Sequence, residues 1–333
     1  MPRLHINFVM SNFEFIQIKS VNEFENACFK TFDYQYRNNQ ILKQYVNLVG
    51  GNPNPKSLEE ITFLPIEFFK SKEVITGSFT PEITFTSSST TGVGVSNHHL
   101  RCITNYKKSF NTCFNNFYGN ISNYLFLALL PSYLERSGSS LIYMAENLIK
   151  SSQYEESGFF LDEFESLDTK LKWAEKNNIP TILLGVTFGL LDFAEAFPQQ
   201  LNSTLVMETG GMKGRKKEMT REEVHKELST NLGVDKIHSE YGMTELLSQA
   251  YSSADGIFNC PPWMKVVIRD TSDPLSQLGS NKTGGINIID LANQDSCSFI
   301  ATQDLGTVNQ LGQFEVLGRF DNSDIRGCNL LAV

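Results

Sequence analysis

The sequence predicts an α/β fold: a largely parallel sheet with helical crossovers, continued by a smaller antiparallel sheet or barrel. Two observations carry that prediction. Between residues 123 and 239, apolar runs of strand length (124–130, 181–186, 205–207 and 236–239) alternate with helix patterns, the arrangement of βαβ units around a parallel sheet. After about residue 260 the texture changes. Residues 265–269, 286–291, 298–302 and 313–317 are short strand patterns separated by Gly, Asn and Asp turns, with no helical period between them. The 333 residues, 41% hydrophobic and 20% charged, supply ample core for one large or two smaller domains. No internal repeat and no long linker separates independent units.

Taken in order, residues 20–49 read as helical, because Val21, Phe24, Cys28 and Phe32, then Ile41, Tyr45 and Leu48, recur at helical spacing. Gly50-Gly51-Asn52-Pro53-Asn54-Pro55 ends that region. The aromatic-rich segment Phe63-Leu64-Pro65-Ile66-Glu67-Phe68-Phe69-Lys70 reads as core. The β-prone Glu82-Ile83-Thr84-Phe85 then runs directly into six hydroxyl residues, Thr86 to Thr91, and on to Gly92 and Gly94. A mixed apolar stretch follows at 100–114. Leu167, Leu171 and Ala174 mark a helix that stops before Pro180. Thr220-Arg221-Glu222-Glu223 is a capping box for a helix carrying Val224, Leu228 and Leu232, closed by Gly233.

Composition excludes some function classes. A formal charge of −9 and a pI near 5.2 argue against a nucleic-acid partner, which needs a basic face. The most basic segment, Lys213-Gly214-Arg215-Lys216-Lys217, reads as a solvated loop. Six cysteines show no C-x-x-C pair and no metal-like clustering with histidine. The N-terminus lacks a signal-peptide pattern, and no apolar run approaches the roughly 20 residues of a membrane helix. The expected location is cytoplasmic, with reduced thiols and no membrane span.

Four separated segments share one texture, a strand ending in a small-residue or acidic turn. They are Ser88-Ser89-Thr90-Thr91-Gly92, Tyr241-Gly242-Met243-Thr244-Glu245, Thr302-Gln303-Asp304-Leu305-Gly306 and Gly318-Arg319-Phe320-Asp321. Clustered N–H and O–H donors on small residues suit phosphate oxygens. Glu245 is a hard oxygen ligand suited to Mg²⁺.

In this order and at these separations the four segments resemble the motifs of the acyl-adenylate-forming ligases, the acyl-CoA synthetase and luciferase superfamily. The resemblance implies the large N-terminal domain of such enzymes, with ATP and Mg²⁺ as cofactors. It implies that Ser88, Ser89, Thr90, Thr91 and Gly92 embrace the ATP phosphates, that Gly210 and Gly211 lie against adenine, and that Tyr241 stacks on it beside Gly242 and Met243. Thr244 would contact phosphate, Glu245 would hold Mg²⁺, Asp304 would hold the ribose hydroxyls, and Arg319 would mark the hinge to a C-terminal domain.

A closer resemblance is to the LuxE-type acyl-protein synthetases of the bacterial-luminescence fatty-acid reductase complex. It is carried by Phe63 to Lys70, by Glu208-Thr209-Gly210-Gly211-Met212-Lys213, and by the ending Arg326-Gly327-Cys328-Asn329-Leu330-Leu331. The resemblance implies a fatty-acid substrate, a covalent acyl group on Cys328 and delivery to a partner enzyme such as a reductase. The expected division is an adenylation domain at 1–316 and a hinge-like tail at 317–333 carrying Cys328, with the C-terminal domain absent.

The chain departs from the common ligase loop T-S-G-T-T-G-x-P-K. Ser89 stands for the first glycine, Gly94 for the proline and Val95 for the lysine, and no lysine follows Lys282. Transfer of the acyl group to coenzyme A and a non-catalytic nucleotide-binding subunit therefore remain open alternatives. Phe68, Phe188, Phe193 and Phe197 are open to either core or an apolar pocket for the acid.

Overall fold

The computed structural model describes residues 14–87, 94–130, 138–210 and 219–319. Helix α1 (Val21–Asn38) starts on a capping box: the Ser20 hydroxyl accepts from Glu23 N, and the Glu23 carboxylate accepts from Ser20 N. Phe24, Ala27, Cys28, Thr31, Phe32 and Gln35 form its buried stripe. Asn39 ends α1 and caps α2 (Gln40–Leu48) by accepting from Leu42 N at 3.0 Å, so the long helical pattern of the sequence is two helices meeting at one asparagine.

A short strand β1 (Leu64–Pro65) and a single-turn helix α3 (Phe68–Ser71) follow. Strands β2 (Ile83–Thr86) and β3 (Asn97–Leu100) form an antiparallel hairpin, with Thr86 opposite Asn97. Helix α4 (Ile103–Tyr118), strand β4 (Leu125–Leu129), helix α5 (Ser140–Ser151) and strand β5 (Gly158–Phe160) come next. Then the chain alternates through α6 (Phe164–Lys176), β6 (Thr181–Val186), α7 (Thr187–Ala196), β7 (Thr204–Thr209), α8 (Arg221–Leu232) and β8 (Ile237–Tyr241). The predicted cap of α8 is present at both ends: a Thr220–Glu223 capping box, and Gly233 left-handed at φ 63°.

Strands β5, β4, β6, β7 and β8 lie side by side in parallel. Alternate residues of β4 enter opposite cores, as the strand period requires. Leu125, Leu127 and Leu129 pack with α6, α7 and α8. Phe126 and Ala128 pack with Tyr106, Phe110 and Phe114 of α4 and Met144, Ala145 and Leu148 of α5.

The remaining strands are β9 (Ala250–Ser252), β10 (Ile257–Asn259), β11 (Met264–Arg269), β12 (Gln277–Leu278), β13 (Gly284–Asp290), β14 (Phe299–Val308) and β15 (Phe314–Arg319). They do not form a separate appended sheet. Strand β9 pairs antiparallel with β8, so among the described residues thirteen strands form one sheet whose character changes from parallel to antiparallel at β8. β14 is long enough to take two partners along the same edge: β1 pairs with Ile300 and Ala301, and β15 with residues 304–308. Strand β15 runs through Leu317 to Arg319, across the expected boundary after residue 316. Among the described residues no helix is long and apolar enough to cross a membrane.

Candidate active site

The site forms where β8 ends, at the edge between the parallel and antiparallel parts of the sheet, and ligands of α/β sheets bind at the carboxyl ends of strands. Tyr241 is the last residue of β8. Its buried ring packs against Phe258 and Phe314, with centroids 5.8 Å and 5.3 Å away. Its hydroxyl donates to Asp304 Oδ2 at 2.8 Å, and Arg319 Nε donates to Asp304 Oδ1 at 3.0 Å. Asp304 and Arg319 are directly opposed in the β14–β15 ladder, which explains why two motifs 15 residues apart meet. Each carboxylate oxygen of Asp304 keeps a further lone pair, so the group fits a ribose diol without giving up its present partners.

The turn after Tyr241 is held from outside. His98 of β3 donates through Nδ1 to the Thr244 carbonyl at 2.8 Å, and its Nε2 lies 3.0 Å from the Asn293 side-chain oxygen. Asn293 Nδ2 donates to the Glu245 carbonyl at 2.8 Å. Asp290 accepts from Leu247 N (2.8 Å), Ser248 N (3.0 Å) and the Ser248 hydroxyl (2.6 Å). Burial pushes the His98 pKa down to about 4, against the hydrogen bonds to the Thr244 carbonyl and the Asn293 side chain, which favour the charged ring. The sequence reading missed His98, Asn293 and Asp290, which lie up to 195 residues from their partners and carry no motif.

Glu245 is buried at 5% exposure. Burial raises its pKa, opposed by a hydrogen bond from the Ser96 hydroxyl and by the charges of Arg319 and Lys70. Ser96 closes the β2–β3 hairpin: Ser96 N donates to Ser87 Oγ at 3.0 Å and Ser87 N to the Ser96 carbonyl at 3.1 Å. The hairpin thus delivers the base of its connecting loop to Glu245. Among the described residues no group of three or more His, Cys, Asp or Glu could hold a metal. A single buried carboxylate fits Mg²⁺, which keeps waters and takes its other ligands from substrate phosphates.

Two further buried carboxylates lie on β7 and β8. Glu208 accepts from the Thr187 hydroxyl (2.8 Å) and the Ser239 hydroxyl (2.9 Å), with His225 Nε2 at 3.6 Å and Arg221 Nε at 3.9 Å. Burial alone would raise its pKa, but the His225 contact, the Arg221 charge and the two hydroxyls hold it below the usual range. Glu240 points to the other sheet face, where the Thr209 hydroxyl donates to it. Burial pushes its pKa up to about 7, against the Thr209 hydrogen bond and with a contribution from Glu208. A β-carbon on Gly242 would lie 2.6 Å from Glu240 Oε1, so the carboxyl fills the space that glycine leaves under the turn.

Of the sequence-predicted residues, Tyr241, Asp304 and Arg319 are brought into contact, and Gly242, Met243, Thr244 and Glu245 form the adjoining turn. Gly210 ends the β7 segment at φ 77°, its carbonyl 3.4 Å from the Thr187 hydroxyl. Ser88, Ser89, Thr90, Thr91, Gly92, Gly211 and Cys328 lie outside the described residues. Phe193 is fully buried on α7 and stacks on Phe197, which packs against the same core. Phe68 packs edge-on against Tyr45.

Neither a protein-family model nor a curated protein sequence matches this chain. Solved structures do. ATP-bound MatB from Rhodopseudomonas palustris is similar over 71% of this chain, with a TM-score of 0.54 and 16% identity. The chain spans about half the length of that protein, 47% of it. 2-Hydroxyisobutyryl-CoA ligase in complex with 2-HIB-AMP and CoA is similar over 92% of this chain and 70% of its own, with a TM-score of 0.63 and 13% identity. The same ligase in the postadenylation state with R3-HIB-AMP covers 95% of this chain and 73% of its own, at a TM-score of 0.60 and 11% identity. The fold is that of the large N-terminal domain of adenylate-forming ligases.

Proposed function

We propose that this chain uses ATP to activate a carboxylic acid, a fatty acid in the first instance, as an acyl-adenylate and then passes the acyl group to a protein thiol. The observation that carries the reading is the meeting of Tyr241, Asp304 and Arg319 beside the Glu245 turn at the end of β8. It occurs in a fold shared with a ligase bound to ATP and another bound to an acyl-AMP. In the first step a carboxylate oxygen attacks the α-phosphorus, forming the acyl–phosphate bond as the bond to the leaving pyrophosphate breaks. Asp304 holds the ribose hydroxyls, Tyr241, Gly210 and Gly211 lie against the adenine, and the hydroxyls of Ser88, Ser89, Thr90, Thr91 and Thr244 donate to phosphate oxygens. Mg²⁺ held by Glu245 would neutralise charge on those oxygens.

In the second step a thiolate attacks the acyl carbonyl and AMP leaves. Burial pushes Cys260 and Cys297 up to about 12, and drives Cys28 and Cys113 up as well, leaving four of the six thiols un-ionised and poor nucleophiles. Cys328, in the tail at 317–333, is the proposed acceptor, from which a partner enzyme such as a reductase would collect the acyl group. The proposed site of action is the cytoplasm. Hydroxylamine-labile labelling tests the second step: ATP plus a suitable acid adds one acyl group to the wild-type protein, and Cys328→Ser loses it while still exchanging pyrophosphate into ATP. Equal labelling of the mutant would remove Cys328 from the reaction. Transfer to coenzyme A is the second reading, favoured by the CoA bound to 2-hydroxyisobutyryl-CoA ligase; product thioester on CoA with no labelled protein would select it.

A further inference from the structure

A nucleotide triphosphate brings several negative charges, yet the β2–β3 hairpin that runs to Glu245 carries no lysine or arginine before Arg101. Arg101 is committed to Asp295 at 2.8 Å and to the Thr76 carbonyl, and Arg319 is committed to Asp304. The segment from β1 through α3 brings a third cation. Leu64 and Pro65 pair in parallel with Ile300 and Ala301 of β14, and Ile66 N donates to the Ala301 carbonyl at 2.9 Å. Gln303, next to Asp304, donates to Glu67 Oε1 at 2.7 Å. Phe69 is fully buried edge-on against His98, with centroids 5.8 Å apart. These contacts fix the backbone of Lys70 between the strand that carries Asp304 and the end of the hairpin loop. A β-carbon on Gly94 would lie 3.6 Å from both the Lys70 Cβ and its carbonyl oxygen.

Two residues beyond Gly94, the Ser96 hydroxyl bonds Glu245, and the Lys70 charge acts on that same carboxylate. The Lys70 side chain is exposed, and among the described residues it makes no ion pair. We propose that Lys70 is a phosphate-binding residue that supplies, from the β1–α3 segment, the positive charge the Ser/Thr hairpin lacks. The inference rests on the reading of this site as the ATP site. An ammonium group on a flexible stem acts as a point charge and suits a phosphate cluster whose oxygens it can follow.

Calorimetric titration of wild type, Lys70→Ala and Lys70→Arg with ATP plus Mg²⁺, and separately with adenosine, tests it. Lys70→Ala is expected to weaken ATP binding by about tenfold or more, the worth of a charge-assisted hydrogen bond, with adenosine affinity unchanged and most of the ATP affinity recovered in Lys70→Arg. Unchanged ATP affinity in Lys70→Ala overturns the inference. So does an equal loss for ATP and adenosine, which marks a structural role. Failure of the wild type to bind ATP at all removes the underlying ATP-site reading, and this outcome is recognised without any mutant. Lys70 is exposed, and thermal melts of both variants confirm that the fold is retained.

Discussion

Asp304 carries two jobs on one carboxylate. Its oxygens take the Tyr241 hydroxyl and the Arg319 guanidinium, and in the proposed function they also take the ribose. Asp304→Ala is expected to weaken ATP binding by about 1.5–3 kcal/mol, the usual worth of hydrogen bonds to a charged group. Calorimetry that returns wild-type affinity would remove Asp304 from the site. Glu240 offers a different test, because its proton is held by burial. With a folded pKa of about 7 and an unfolded value of about 4.3, the folded state keeps a proton that the unfolded chain has lost between those values. The stability contribution of Glu240 therefore falls as pH rises through that window and stays low above it. Glu240→Gln, which keeps an acceptor for Thr209, should gain about 1–3 kcal/mol more stability at pH 8 than at pH 4. Denaturant unfolding at both pH values checks this; an equal effect at both would show that the carboxyl does not titrate in that range.

Elements with strong local signals were legible in the sequence. The helix caps at Thr220 and Gly233 and the strand at 181–186 stand as predicted, and the run expected at 205–207 lies inside the longer strand Thr204–Thr209, because capping chemistry and buried-strand runs are written locally. Helices α4, α5 and α7 carried weaker signals. α7 follows β6 without a break and buries Leu190, Leu191, Phe193 and Ala194 together, leaving little polar contrast to reveal its period. The site turn was legible through its own residues but not through what holds it. His98 reaches Thr244 across 146 positions of chain, a contact only the folded sheet creates. His98→Ala removes that bond and opens a hole beside Phe69, so stability should fall by about 2–4 kcal/mol. Chemical denaturation measures the loss, and an unchanged midpoint would leave Asn293 and Asp290 as the sole supports of the turn.

At the scale of the whole molecule, the change in sequence texture near residue 260 marks a real change from parallel to antiparallel pairing. The smaller antiparallel part expected there is joined directly to the parallel one. Strand β9 pairs with β8 at Tyr241↔Ala250 and makes one sheet of both parts. That joint explains the placement of the site: Tyr241 ends the last parallel strand, and Asp304 and Arg319 arrive on antiparallel strands. The central claim is adenylation, and carboxylate-dependent exchange of labelled pyrophosphate into ATP tests it most directly. The account predicts Mg²⁺-dependent exchange with at least one member of a broad panel of fatty and aryl acids, abolished in a folded Glu245→Gln protein. No exchange by wild-type protein with any acid in the panel, or wild-type rates in the Glu245 variant, would contradict it.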